Sequence, residues 1–269
     1  MKLVENPKRG FPMIKKTIRL AVWLAVALVV QPADLKAQET GASLSGALGA
    51  AVAAMPEFEG SNRYTARVLP VINLAYGQAF LSMGQGLGLD LVSAPDWTVA
   101  PALRYRWARK EKDSDLLRGM GDLEDGLEAG GVVRWQPGPA GLSLKVFQGL
   151  GRVDGLTAEL GADYGTALTE DLTGAVGLAA MFADRKYNQN YFGITPGQAD
   201  KSEYRAYDPG AGLKHAAVSG SLSYALTEDL GLGLMAEYKR LAGPAADSPL
   251  VERGSADQFL SALSLSFNF

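Results

Sequence analysis

Apolar and polar side chains alternate with a period of two in segment after segment of this 269-residue chain. That feature restricts its fold more than any other. The alternation is strictest at the end of the sequence, where Leu263, Leu265, Phe267 and Phe269 fall on one side and Ser264, Ser266 and Asn268 on the other. A strand sends successive side chains to opposite faces, so 257–269 has one apolar and one small polar face. In 64–76 the even positions Tyr64, Ala66, Val68, Pro70, Ile72, Leu74 and Tyr76 are apolar or aromatic, with Thr65, Arg67 and Asn73 between them. In 97–107 the odd set Trp97, Val99, Pro101, Leu103, Tyr105 and Trp107 opposes Arg104 and Arg106. Segments 127–135, 156–164 and 230–238 repeat the pattern, and 42–54, 80–91, 142–147, 172–184 and 213–224 carry weaker versions.

Many of these segments approach the ten or so residues that a tilted membrane strand needs. Aromatic side chains recur at their ends on the apolar side: Tyr64 with Tyr76, Trp97 with Trp107, then Trp135, Tyr164, Tyr224, Tyr238 and Phe269. Amphipathic rings so placed match the two interfacial girdles of a bilayer. Tight connections at Ala94-Pro-Asp96, Gln136-Pro-Gly-Pro-Ala140, Thr169-Glu-Asp171 and Thr227-Glu-Asp229 contrast with long polar ones at 109–125 and 185–209. Short turns on one side and long loops on the other is the barrel arrangement. The pattern predicts an all-β protein, an antiparallel transmembrane β-barrel closed by a strand that ends in Phe269. Eleven segments are recognisable, whereas an even number is required. Splitting one segment within 41–92 gives twelve strands, the expected count, and demoting one gives ten.

Residues 1–37 have the three parts of a secretory signal: Lys15, Lys16 and Arg19, an apolar run from Leu20 to Val30, and a small residue, Ala37, before Gln38. The run is too short to span a bilayer as a helix. The expected organisation is a cleaved signal at 1–37 and a barrel over 38–269. Without 1–37 the chain carries 19 basic and 27 acidic groups, so it lacks the basic footprint of a nucleic-acid binder. Cysteine is absent, which excludes disulfides and thiolate metal sites.

If the apolar sets face lipid, the polar sets face the lumen. That assigns Arg67, Arg104, Arg106, Arg134, Lys145 and Lys239 to the interior, with Asp90, Glu128, Glu159, Asp163 and Glu237. Charges in a narrow lumen are costly unless paired or hydrated. The balanced set reads as a salt-bridged interior, with a constriction selecting small solutes as the functional alternative. The lone His215 shares a face with Ser219, but four residues along a strand is roughly 13 Å, too far for a nucleophile and its base. Asp113, Asp115, Asp122, Glu124 and Asp125 could attract Ca²⁺, although a solvated loop explains them as well. No cofactor, metal or catalytic residue is assigned.

Several stretches together resemble the family of MltA-interacting protein and OmpV, outer-membrane barrels of Gram-negative bacteria. They are Pro56-Glu-Phe-Glu-Gly-Ser61 with Leu69-Pro70, Phe182-Ala-Asp184 with Tyr187-x-x-x-Tyr191-Phe-Gly193, and Asp247-Ser-Pro249, followed by the Phe-ending strand. Asn62-Arg63 stands where the family usually has an acidic residue. The resemblance implies an outer-membrane location and contact with membrane lipid and, through the last strand, with the barrel-assembly machinery. It also implies a non-enzymatic scaffold that brings a murein hydrolase together with a murein synthase, as described for the founding member. Other members are linked to adhesion, osmotic response and permeability. On this reading loops 109–125 and 185–209 are exposed interaction surfaces, and a narrow channel is the alternative.

Overall fold

A computed structural model describes residues 43–269; the signal segment expected over 1–37 lies outside the described residues. The strands are β1 (Leu44–Pro56), β2 (Tyr64–Tyr76), β3 (Ala79–Ser82), β4 (Gly86–Leu89), β5 (Val92–Ala94), β6 (Trp97–Arg106), β7 (Gly126–Trp135), β8 (Ala140–Gly149), β9 (Gly155–Ala167), β10 (Leu172–Ala183), β11 (Gly212–Ala225), β12 (Leu230–Leu241) and β13 (Asp257–Asn268). Each pairs antiparallel with its neighbour in sequence except that β4 and β5 do not pair with each other; both pair with β6, and β13 returns to β1. β4 and β5 therefore form one interrupted staple along β6, and the ring has twelve strands.

The interruption has a local cause. Leu91 N–H donates to the carbonyl of Val99, so that edge of β6 faces the staple. Pro101, two residues on, presents its nitrogen to the same edge without a hydrogen to donate. The ladder skips there: Gly88 pairs with Ala102, but Val92 pairs with Val99, one residue out of step. The split that makes twelve falls in 80–91, which is a short hairpin rather than a single strand. Gly86, with φ +83°, suits the start of the return strand and lets it lie against β6, where a Cβ would fall 2.0 Å from the carbonyl oxygen of Leu103.

Closure runs to the last residue: Gly46 N–H donates to Phe269 O at 2.9 Å, and Phe269 N–H donates to Gly46 O at 3.0 Å. The outer face carries the apolar sets, with Val68, Leu178 and Leu263 all more than half exposed. The inner face toward the turn end is lined by small residues such as Ser143, Gly161, Gly177 and Ser219. A closed antiparallel barrel with an apolar exterior is the architecture of a Gram-negative outer-membrane protein, because strand-to-strand pairing around the ring satisfies the backbone in lipid.

The four tight turns lie at the end that carries Leu44 and Asn268. Two are the same structure built twice: Leu168 N–H donates to Leu172 O at 2.7 Å and Leu226 N–H to Leu230 O at 2.8 Å. Thr169 and Thr227 hydroxyls accept from Leu172 N–H and Leu230 N–H at 3.1 and 3.0 Å.

At the opposite end 109–125 and 185–209, expected as long polar loops with exposed surfaces, are partly packed. The connections there fold into a packed cap containing α1 (Arg185–Phe192), α2 (Pro196–Ala199), α3 (Gly243–Ala246) and α4 (Pro249–Arg253). Asp184 accepts from Tyr187 N–H to start α1, and Ser248 accepts from Leu250 N–H to start α4. One apolar cluster joins Tyr187, Tyr191 and Phe192 to Leu241, Ala245 and Val251; another joins Phe58, Leu117, Met120, Ile194, Tyr204 and Leu250. Full burial of each large side chain contributes about 2 kcal/mol, so the two clusters hold the cap down.

Replacing Gly86 by Ala should lower the unfolding free energy by about 1–3 kcal/mol, the cost of a strained φ plus a displaced neighbour. A urea titration followed by the gel shift between heat-denatured and folded barrel measures it.

Candidate functional site

The interior beneath the cap is a cavity of about 260 Å³. Three charge groups line it. In the first, Glu128, almost fully buried, accepts from Arg104 Nε at 2.7 Å and from Arg106 Nη2. Arg106 also donates to Val153 O at 2.8 Å and lies 4.7 Å from the Tyr187 ring centre, while Arg104 lies 4.2 Å from that of Phe147. In the second, Lys145 donates to Glu159 at 2.7 Å across β8 and β9.

The third is centred on Glu59, in the connection after β1. Lys214 Nζ donates to its Oε2 at 2.9 Å and to the Tyr187 hydroxyl oxygen at 3.2 Å. His215 Nδ1 lies 3.8 Å and Lys239 Nζ 3.9 Å from its Oε1, and Lys239 also meets Glu237 at 3.5 Å. Both Lys214 and His215 are buried although they are adjacent, because the β10–β11 register slips between Met181 and Phe182, opposite them. A bulge of this kind re-aims a side chain that regular alternation would send outward. Burial pushes the Glu59 carboxyl up, but the Lys214 and Lys239 ammonium groups outweigh it and hold the group at about 2. Burial pulls the Arg109 guanidinium down to about 10, so it stays charged at neutral pH; its Nη1 donates to Tyr191 O at 2.7 Å.

Of the charges assigned to the lumen, Arg104, Arg106, Glu128, Lys145, Glu159, Asp163, Glu237 and Lys239 line this cavity. Arg67 instead reaches toward the cap, donating to Glu57 O at 3.4 Å, and Arg134 lies near the turn end within electrostatic reach of Asp90. His215 and Ser219 both line the cavity. The acids of 109–125 are dispersed: Asp115 pairs with Arg63 and Arg118, Asp122 with Lys110, and Asp125 accepts from the Tyr105 hydroxyl.

Among the aromatics, Tyr64, Tyr76, Trp97, Trp135, Tyr164, Tyr224 and Phe269 are exposed, and Tyr238 packs against exposed Phe259 at 4.9 Å. Trp107 departs from the interfacial position expected of it. β6 ends at Arg106 and the chain turns in, so Trp107 packs against the buried Ala53–Leu69 cluster and lines the cavity.

Glu59, Lys214, Arg109, Tyr187 and Tyr191 were not singled out by charge patterning. Two signals were present in the sequence. Lys214-His215 places two polar residues side by side in an alternating strand, and Tyr187 and Tyr191 stand four apart behind a capping Asp, the spacing that stacks their rings 4.6 Å apart on one helix face. The stretches that carry the family resemblance supply the cap and its contact with the lumen: Phe58 and Glu59, Asp184 through Tyr191, and Ser248, whose hydroxyl donates to Phe192 O at 2.6 Å.

A family model described as MltA-interacting protein MipA matches residues 48–269. Similar solved structures include the NanC porin, at 9% identity over 82% of this chain and 100% of that chain with a TM-score of 0.48. The KdgM porin is similar at 10% identity over 83% and 99%, with a TM-score of 0.44. A bacterial polysaccharide outer-membrane secretin is similar at 9% identity over 86% and 100%, with a TM-score of 0.45. A comparison with curated proteins finds no match.

Glu59 is depressed below its ordinary 4.5, so its contribution is present above that pH and is lost as pH falls toward 2. Glu59→Gln, which leaves Lys214 without its carboxylate, should cost about 2 kcal/mol at neutral pH, discounted because part of the carboxyl meets the cavity. The difference from the unaltered chain should shrink between pH 4.5 and 2. Urea unfolding of both proteins across that range measures it.

Proposed function

The chain belongs to the MltA-interacting protein MipA family, and from that premise we propose that it is a non-enzymatic outer-membrane platform for murein machinery. On this reading the turn end faces the periplasm and engages a murein hydrolase and a murein synthase, and β13 is the strand that the barrel-assembly machinery receives. The observation that carries the reading is the roofed, charge-paired lumen. Arg104 and Arg106 are paired with Glu128, Lys145 with Glu159 and Lys214 with Glu59, and two apolar clusters roof the interior, which favours the outer surfaces as the place where partners bind. The turn end supplies a distinctive surface, since the two equivalent hairpins expose Glu170, Asp171, Glu228 and Asp229 side by side in sequence pairs. A partner with a basic face suits it.

A narrow solute channel is the second reading, favoured by the charged cavity of about 260 Å³. The packed cap argues against it, because conduction through that end requires the Phe192, Ile194 and Leu250 contacts to part.

Changing all four turn acids to Lys should leave a folded, heat-modifiable barrel. Recovery of a lytic transglycosylase and a murein synthase on the tagged protein should fall about tenfold or more, since like charges across an interface cost several kcal/mol. Undiminished recovery of both enzymes would overturn the platform reading.

A further inference from the structure

The barrel wall has a window. β2 pairs with β1 along its whole length, but with β3 only from Asn73 to Tyr76. β6 meets β4 only at Ala102 and Leu103. Among the described residues the ladder on the β3 side of β2 stops where Met83 N–H donates to Ile72 O at 3.2 Å. Above that point Tyr64–Val71 forms an edge of roughly 25 Å without a strand beside it. The sequence is built for this. Ile72 O points to the β3 side, so the backbone of Pro70 does too, and Pro70 has no N–H to leave unpaired.

The window is framed on every side. The hairpin tip at Met83 and Gly84 forms its sill and lines the cavity. The Arg63–Asp115 bridge, at 3.1 Å, ties the cap loop across its top. Its outer rim is apolar, with Val68, Leu87 and Tyr105 exposed, and it lies below the level of Tyr64, where the aromatic ring of the cap end begins. Hydrocarbon tolerates non-paired backbone only where it is buried in protein or lines a cavity; beside this edge Met83, Gly84, Tyr105 and Trp107 line the cavity. Inside, Trp107 packs against Leu69, and behind it Arg104 and Arg106 share Glu128, while Arg109 lies within electrostatic reach of Asp113 and Glu59. Buried Arg109 Nε has no hydrogen-bond partner. Deeper in, Lys145, Lys214 and Lys239 are matched by Glu159, Glu59 and Glu237. Of the charges that line the cavity six are basic and five acidic, so the site is slightly positive.

We propose that this cavity binds a long-chain anionic amphiphile, of the fatty-acid class, that enters sideways from the membrane. Its carboxylate sits among Arg104, Arg106 and Arg109, and its chain runs past Trp107 and out between Val68 and Tyr105 into lipid. The site is independent of the turn-end surface.

Trp107 can report on it. With Trp23, Trp97 and Trp135 changed to Phe, Trp107 is the one tryptophan left in the chain. The purified barrel, in phospholipid bilayers, is titrated with a dibrominated stearate, whose bromines quench indole fluorescence on contact. Saturable quenching is expected. The corresponding dibrominated alcohol should bind about tenfold more weakly, having lost a charge-assisted contact. Gly84→Phe, which fills the sill, should abolish saturation while heat-modifiability is retained; Met83→Phe serves if that variant does not fold. Quenching that only rises in proportion to the amount added, and is unchanged in the sill variant, would overturn the site. Equal binding of acid and alcohol would overturn its anionic selectivity.

Discussion

Everything in this structure depends on one constraint: hydrocarbon offers backbone N–H and C=O groups no partner. A sheet in that medium must close on itself, and here it closes through the reciprocal bonds between Gly46 and Phe269. Closure fixes which face of every strand meets lipid, and from that follow the apolar exterior and the segregation of charge to the interior. Among the described residues the ladder fails beside two prolines, at Pro101 where the β4–β5 side of β6 skips and above Ile72 where β2 carries Pro70.

The interior meets a second cost, that of burying charge. Arg104 and Arg106 share Glu128, Lys145 has Glu159, and Lys214, held inward by a bulge, has Glu59. Glu59 comes from the cap side and Lys214 from the wall, so this pair fastens the cap to the barrel. The aromatic face of α1 does the same, laying Tyr187 and Tyr191 over Arg106 at 4.7 and 5.5 Å. The cap is therefore a structural continuation of the lumen rather than a set of loops above it.

Much of this was legible in the sequence because a strand's period is local. Two-residue alternation identified the lipid-facing side of β2, β6, β12 and β13, and the Thr-Glu-Asp pair identified two equivalent hairpins. What failed was wherever the local period was interrupted. The 80–91 segment reads as one strand because its Gly-rich alternation continues through a hairpin only four residues deep on each side. Trp107 has the right parity for the outer face, but the strand ends one residue earlier. Lys214 sits where parity is reset by a bulge. The partnership of Glu59 with Lys214 joins positions 155 apart in the chain, and no local pattern encodes it. The cap was hidden for a related reason: its helices are four to eight residues long, and their apolar side chains are spread through polar connections.

The central claim is that this barrel's lumen is charge-paired and roofed, so that its surfaces and its side window, rather than a through-passage, carry its function. Conductance of the purified, heat-modifiable protein in a planar lipid bilayer tests this most directly. The account expects a protein that inserts and folds yet stays electrically silent at neutral pH. Steady, discrete openings that change with Arg104→Ala or Glu159→Ala would contradict it and make the charged lumen a selective pore.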